Sequence, residues 1–225
     1  MESERTQKMR ITPWLKKESL RLLIIALPFV FLLLFWQDLP SRIAMHWNLN
    51  GQPDGYTDKF GLLGLAAINL VLLGLFFLLP HLNPRHNNDA LYLSKWHLIE
   101  VITHLFVTYI FFIVALMALN YQLQIDLTIK YGLIGLFLLL GNYLGTVKRN
   151  YFIGIRTPWT LNSDYVWQKT HRFTATVWVW SSLLMLLYNF WHNYPWAFYA
   201  YIGLLVIAPL VYSYIVYKNQ PPLPE

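Results

Sequence analysis

The feature that most constrains this chain is a set of long apolar segments that contain almost no charged side chains. Segment 60–79 has 20 residues with Asn69 as its only polar side chain, and segments 98–119 and 196–217 have 22 residues each. A helix needs about 20 mostly apolar residues to cross a bilayer, whereas an ordinary core helix needs fewer. The sequence therefore predicts an integral membrane protein that is all-α.

Six segments have this character, and two of them are short, with 17 residues each. The composition agrees, because charged residues make up 12% of the chain against about 25% in soluble domains. We therefore predict a polytopic protein with six transmembrane helices. The predicted spans are 20–36, 60–79, 98–119, 131–147, 173–191 and 196–217.

The distribution of Lys and Arg predicts the orientation of these spans. If the spans alternate in direction, 14 of the 17 cations lie on the side of both termini, and the other three, Arg42, Lys59 and Lys130, lie on the opposite side. Cytoplasmic loops carry such an excess, so both termini are predicted to be cytoplasmic. The net charge of +6 is thus explained by membrane topology, and no nucleic-acid partner is expected. With no cysteine, disulfides and thiolate metal sites are excluded.

The predicted domain organisation follows from the spans. A basic cytoplasmic leader, 1–19, precedes a three-helix half, 20–119, whose external loop is 37–59. A second three-helix half, 120–217, carries a cytoplasmic loop at 148–172, and the tail 218–225 is predicted to be disordered. Gly141 and Gly145 form a G-x-x-x-G pattern, which is either a helix-packing face or the ordinary glycine content of membrane helices.

The external loop has a turn signal at its centre, where Asn50-Gly51 is followed by Pro53-Asp54-Gly55. One interpretation is a weak metal or proton site built from His46, Asp54 and Asp58. The other is a tight polar cap on the membrane surface. These residue types have no spacing that is diagnostic of a metal site.

The cytoplasmic loop carries signals for two helix starts. Thr157-Pro158 is typical of an N-cap followed by proline at the first helical position. Asn162 or Ser163 can cap a second helix, on which Trp167 and His171 share a face. The loop is either a docking surface with Arg156 and Trp159 as anchors or an interfacial helix at the lipid headgroups.

Both loops contain recognisable motifs. The string G-I-R-T-P-W-T-L at 154–161, with its flanking residues, resembles the SdpI family, and the external motif resembles a domain of unknown function that often precedes the SdpI motif. Together the two resemblances extend over roughly residues 20–217. The cytoplasmic motif residues are Asn150, Gly154, Arg156, Thr157, Pro158, Trp159, Thr160, Leu161, Trp167, Thr170 and His171. The external motif residues are His46, Trp47, Asn48, Gly51, Pro53, Asp54 and Tyr56.

The SdpI family comprises bacterial membrane proteins named for immunity to a secreted peptide toxin. The resemblance implies a non-enzymatic, multi-pass protein of the bacterial plasma membrane that protects its cell from such a membrane-active peptide. It further implies that the toxin is met outside and that its presence is relayed to a cytoplasmic repressor or other protein inside. No cofactor is expected.

Polar residues inside the spans leave other functions open. His97, Glu100 and His104 share one face of the third span, with His171 predicted at the same membrane level. They form either a zinc or proton-relay site or a hydrogen-bonded packing face. The zinc-peptidase motif H-E-x-x-H is absent from the sequence. The two alternative functions are a small transporter with inverted halves and a metal-dependent membrane enzyme. Asn69 and Asn142 are each expected to hydrogen-bond a neighbouring helix.

Overall fold

The computed structural model describes residues 2–48, 51–80, 82, 90–192 and 194–221, and the side chains of these residues outside 2–18 and 90–94. Most of the described chain is helical. The elements in chain order are α1 (Glu2–Phe35), β1 (Arg42–Trp47), β2 (Pro53–Asp58), α2 (Phe60–Leu78), α3 (Ala90–Ala118), α4 (Ile125–Leu144), α5 (Pro158–Asn162), α6 (Asp164–Trp191) and α7 (Pro195–Lys218). The last four residues of the predicted tail, 222–225, lie outside the described residues.

Within the described part of the chain, five helices are long and apolar enough to cross a membrane, and a sixth apolar segment, Ser19–Phe35, is shorter. The five are Phe60–Leu78, Lys95–Ala118, Ile125–Leu144, Asp164–Trp191 and Pro195–Lys218. The prediction of a helical, polytopic membrane protein is confirmed. Three of these helices, α3, α4 and α6, start well before the predicted spans, at Ala90, Ile125 and Asp164. Hydropathy marks only the most apolar part of a helix, whereas hydrogen bonding continues to the cap.

A small sheet interrupts the helical architecture in the loop between α1 and α2. Strands β1 and β2 pair antiparallel, with Arg42 opposite Asp58 and a register shift between Ala44 and His46. The sequence predicted the reversal of the chain but not the strands. The backbone reverses where Asn48 N–H donates to the Gln52 carbonyl over 2.9 Å. Asn50, part of the predicted turn, lies outside the described residues.

The described chain forms two compact units, 1–75 with 103–128 and 76–102 with 129–225. In the first unit, the hairpin is anchored to the helical core through Ile43, which is 2% exposed. The ring of Phe31 meets that of Phe111 edge-on at 5.8 Å. The core of this unit consists of Leu32, Leu39, Ile43, Leu62, Ala66, Phe111, Val114 and Ala115. The hairpin is therefore a packed part of the first unit rather than a free loop.

A buried polar network crosses three helices of the first unit. Asn69 Oδ1 lies 2.9 Å from His104 Nδ1, and Asn69 Nδ2 donates to Thr108 Oγ1 over 3.1 Å. The Thr108 hydroxyl in turn donates to the carbonyl of Ile24 over 3.2 Å. The expected interhelical bond of Asn69 is thus confirmed. The same expectation is wrong for Asn142, which is exposed and makes no such bond within the described part of the chain.

In the second unit, α4 and α6 approach closely at the two glycines of the G-x-x-x-G pattern. A Cβ placed on Gly141 would lie 2.8 Å from the Cβ of Trp178 and 3.2 Å from the backbone nitrogen of Val179. At Gly145, the nearest atom to such a Cβ would be Ala175 Cβ at 3.3 Å. The helix-packing interpretation of this pattern is confirmed, since both positions face another helix at a distance that only glycine allows without displacement.

We expect Gly141→Ala to destabilise the protein by about 1 to 3 kcal/mol, because the added methyl group overpacks a contact between two rigid helices. Gly135→Ala is the matched control on the same helix, since nothing lies within 4 Å of its added Cβ. The free energy of unfolding is measured by SDS titration in mixed micelles. Equal stability of the two variants would contradict the close packing of α4 on α6.

Candidate functional site

The motif predicted to be cytoplasmic begins in an irregular segment after α4. The side chain of Asn150 organises this segment. Its Oδ1 accepts the backbone N–H groups of Phe152 at 2.8 Å and Ile153 at 2.7 Å. Its Nδ2 donates to the carbonyls of Lys148 at 2.9 Å and Ile153 at 3.0 Å. Asn150 is 1% exposed, and its amide group uses every donor and acceptor it has. The segment 148–153 is therefore folded around one side chain.

His171 fastens the next part of this segment to α6. Its Nε2 accepts the backbone N–H of Ile155 over 3.0 Å, and its Nδ1 donates to the carbonyl of Trp167 over 2.8 Å. This pattern assigns the neutral tautomer with the proton on Nδ1. The imidazole also stacks on the Trp167 indole, with the ring centroids 3.9 Å apart. The indole Nε1 donates to the carbonyl of Val147 over 2.8 Å, so both rings hold the loop.

Gly154 lies where the loop passes over these two rings. Its φ of +120° is unfavourable for residues with a side chain. A Cβ at this position would also collide with Nε2 of His171 and would lie 3.2 Å from the Trp167 ring. Glycine is therefore required here both for backbone conformation and for space.

The short helix α5 is capped as the sequence predicted. Thr157 and Thr160 form a capping box, in which Thr157 N–H donates to Thr160 Oγ1 over 2.9 Å, and Pro158 occupies the start of the helix. The Thr160 hydroxyl donates to the carbonyl of Ile155 over 2.7 Å. At the other end, the carbonyl of Leu161 accepts a hydrogen bond from Arg149 Nη1 over 3.2 Å. Hydrogen bonds thus hold α5 at both of its ends.

The two predicted docking anchors lie in different environments. Trp159 packs on α7: its Nε1 donates to Ser213 Oγ over 2.8 Å, and its ring stacks on that of Tyr217 with the centroids 5.9 Å apart. Arg156 is exposed, and its Nη1 donates to the carbonyl of Tyr151 over 2.5 Å. Of the two side chains, Arg156 is therefore the one that is accessible to a partner.

Sequence reasoning missed several residues that complete this site. Arg149 Nη2 donates to Asp164 Oδ2 over 3.0 Å, which connects the loop to the first turn of α6. The spacing of 15 residues gives no signal for this ion pair, and nothing in the sequence connects Ser213 with Trp159. By contrast, Thr170 was among the predicted motif residues; it is fully buried, and its Oγ1 has no hydrogen-bond partner within the described ranges.

The residues of the motif predicted to be external lie on the hairpin. His46 Nδ1 is 2.5 Å from Asp54 Oδ1, which makes an exposed pair across the two strands. Asp58 instead accepts the backbone N–H of Phe60 over 2.9 Å at the start of α2. The ring of Tyr56 is 52% exposed and has the guanidinium of Arg42 5.4 Å from its centroid.

The remaining members of the external motif shape and anchor the hairpin. Trp47 pairs with Pro53 at the turn end of the ladder and packs against the core of the first unit. Asn48 Oδ1 accepts Gln52 N–H over 3.1 Å. Gly51 has a φ of +73°, as the predicted turn requires.

The polar residues of α3 have separate partners. His97 Nδ1 lies 3.3 Å from Glu100 Oε2, whereas His104 belongs to the network of Asn69 in the first unit. In the described parts of the chain, no group of three or more His, Cys, Asp or Glu side chains is arranged to hold a metal ion. This applies to the set His97, Glu100 and His104 and to the external set. Both ring nitrogens of His171 are already hydrogen-bonded within its own loop and helix.

Both motif regions match models of known protein families. The model of the SdpI/YfhL protein family matches residues 146–213, and that of a domain of unknown function, DUF1648, matches residues 23–70. The resemblance of the second motif to the SdpI family is thus confirmed over residues 146–213. The chain is also similar to Immunity protein SdpI of Bacillus subtilis (strain 168), with 26% identity over 90% of this chain and 92% of that protein. No solved structure matches the chain significantly.

The residues matched by the SdpI family model coincide with the structural unit built around His171. The match starts at Thr146, just after α4, and ends at Ser213, the hydrogen-bond partner of Trp159. It therefore contains the loop, α5, α6 and the part of α7 on which α5 packs. The DUF1648 match contains both strands of the hairpin and Asn69.

We expect His171→Phe to loosen the loop between α4 and α5 while preserving the aromatic stack on Trp167. The substitution leaves the Ile155 N–H without an acceptor. Loss of a buried hydrogen bond of this kind reduces the protection of the amide against hydrogen–deuterium exchange by about tenfold or more. Hydrogen–deuterium exchange of peptides that contain Ile155 measures this. His192→Phe is the control, since His192 is exposed at the end of α6. Unchanged exchange at Ile155 in His171→Phe would contradict the role of this bond.

Proposed function

We propose that this protein is a membrane immunity protein that protects a bacterial cell against a secreted, membrane-active peptide toxin. The observation that carries the proposal is the similarity to Immunity protein SdpI over 90% of the chain. The order of the two matched regions and the helical membrane architecture support it. On this proposal the chain is not an enzyme, and its motif residues act by binding and by shaping a surface.

The proposed location is the bacterial plasma membrane, with both termini in the cytoplasm. The excess of Lys and Arg, 14 against three, supports this orientation. It assigns the hairpin to the outer surface and the loop that contains Arg156 to the inner surface. The two motifs then lie on opposite sides of the membrane, where toxin and cytoplasmic partner would be met.

The hairpin is suited to be the toxin-contact surface. Ile43 anchors it in the core of the first unit, whereas Tyr56 and the pair of His46 with Asp54 remain exposed. An exposed aromatic ring and neighbouring charged groups on a rigid strand pair offer an amphipathic peptide both apolar and polar contacts. Because the platform is already folded, little ordering entropy opposes binding.

The inner loop is suited to dock a cytoplasmic regulator, as the relay part of the proposal requires. Its motif residues divide into a scaffold and an accessible group. Asn150, Thr160, Trp167 and His171 are buried and hydrogen-bonded. Arg156 is exposed and uses one backbone carbonyl, which leaves other donors of its guanidinium available to a carboxylate. Arg156 can therefore be changed without removing the scaffold.

We expect Arg156→Ala to lose protection against the toxin while its amount in the membrane stays at the wild-type level, because the substitution removes a surface group only. The assay expresses each variant in a sensitive bacterium that lacks its own immunity gene and counts survivors after addition of the SdpI-system toxin peptide. Lys169→Ala is the matched control, an exposed cation of α6 outside the motif. Absence of protection by the inserted wild-type protein would refute the proposed function.

A second assay separates recognition outside from response inside. We expect Tyr56→Ala to reduce binding of labelled toxin to intact cells by about tenfold, because removal of an exposed aromatic anchor typically costs 1 to 2 kcal/mol. Arg156→Ala should bind toxin normally in the same assay. Tyr121→Ala is the control, since Tyr121 is 60% exposed in the other loop on the proposed outer side. Normal toxin binding by Tyr56→Ala would remove the hairpin from the recognition surface.

A further inference from the structure

Helix α6 has one face that the described chain leaves exposed. Thr176, Trp180, Leu184 and Leu187 follow one another at intervals of three or four residues, and all four are exposed. Residues at this spacing share one side of a helix. Trp180 is 63% exposed, whereas Trp178 packs inward and donates its indole N–H to a carbonyl of α7 over 3.0 Å. Packing within the chain thus explains Trp178 but not Trp180.

This face lies in the part of α6 that crosses the hydrocarbon of the bilayer. Segment 173–217 has no Asp, Glu, Lys or Arg, so the uncharged part of α6 begins directly after Arg172. From there to Trp191 it has 19 residues, or roughly 28 Å, close to the thickness of about 30 Å of a bilayer core. Trp180 lies about 12 Å beyond Arg172 along the helix. It is therefore deeper than the interface, where tryptophan is normally enriched.

The indole of Trp180 carries a hydrogen-bond donor that the described chain does not use. Its Nε1 has no hydrogen-bond acceptor among the described residues, and an indole N–H can only donate. Lipid hydrocarbon offers no acceptor, and a polar group left unpaired in it is costly. The donor of Trp180 therefore needs an acceptor on a partner that lies inside the membrane.

A matching acceptor is present one turn earlier on the same face. The hydroxyl of Thr176 donates its only hydrogen to the carbonyl of Arg172 over 3.1 Å, so its oxygen keeps the capacity to accept. Long side chains on a helix point toward its N-terminus, so we expect the Trp180 indole near the level of Thr176. The two side chains do not hydrogen-bond each other within one chain. A donor and an acceptor therefore face the lipid at similar depth.

We propose that this face of α6 binds the same face of a second copy of the chain, with the two helices parallel and related by a two-fold axis. Such symmetry requires a self-complementary surface. Nε1 of Trp180 in each copy donates to Oγ1 of Thr176 in the other copy, and Leu184 and Leu187 pack beside this pair. Because one face carries both the donor and the acceptor, no other sequence is needed to complete the contact. The dimer is independent of the proposed toxin contact and docking surface.

The test measures self-association in liposomes by Förster energy transfer between labelled copies. The chain contains no cysteine, so a single Lys218→Cys substitution accepts either dye at an exposed position. We expect energy transfer to rise with the protein-to-lipid ratio as a monomer–dimer equilibrium does. Trp180→Phe and Thr176→Val should each weaken dimerisation by about tenfold, since each removes two interhelical hydrogen bonds from the dimer. Trp196→Phe, a change of an exposed tryptophan on α7, is the matched control and should associate as the wild type does.

A mixture of the two variants gives a result that misfolding cannot imitate. In the mixed dimer, Trp180 of the Thr176→Val copy still donates to Thr176 of the Trp180→Phe copy, so one of the two hydrogen bonds remains. Beyond the statistical factor, the mixed dimer should therefore be about threefold stronger than the dimer of either variant alone. Wild-type protein that stays monomeric at every protein-to-lipid ratio, Trp180→Phe protein that associates as the wild type does, equal loss in Trp196→Phe, or equal strength of mixed and unmixed dimers would each overturn the proposal.

Discussion

One hydrogen bond, from the backbone N–H of Ile155 to Nε2 of His171, organises the second unit of the structure. The chain between α4 and α5 has no regular secondary structure, so its buried polar groups need side-chain partners. His171 supplies such a partner for the N–H of Ile155, and the carbonyl of Ile155 accepts a hydrogen bond from the Thr160 hydroxyl. Gly154 is confined by the same ring. The position of α5, and through Trp159 its contact with α7, depends on this attachment.

In the first unit, a polar hairpin is held against an apolar group of helices. Ile43 provides the apolar anchor, and Asp58 joins β2 to α2 by accepting the N–H of Phe60. Deeper in the unit, Asn69 bonds both His104 and Thr108. Polar side chains inside a bilayer are tolerated where they find such partners. The hairpin and the network therefore stabilise the same group of helices at two levels.

The sequence predicted those parts of the structure that depend on local or periodic signals. Apolar segments predicted the helices, and Thr157 and Ser163 were recognised as candidates for the N-caps that the structure shows. The strands were missed because Gly55 and Pro53 lie in β2, where both residue types are normally unfavourable. The contacts of Trp159 with Ser213 and of Arg149 with Asp164 could not be predicted, since they join distant positions and neither residue type requires the other.

The length of α6 has a mechanical consequence. The helix is continuous from the Ser163 cap to Trp191 and carries Trp167 and His171 near its first end. A continuous helix moves as a rod, so a tilt of about 10° around one end displaces the other by roughly 7 Å over a length of roughly 42 Å. The loop bonded to His171 travels with that end. A small tilt of α6 at one membrane surface would therefore displace the loop at the opposite surface without unfolding any part of the helix.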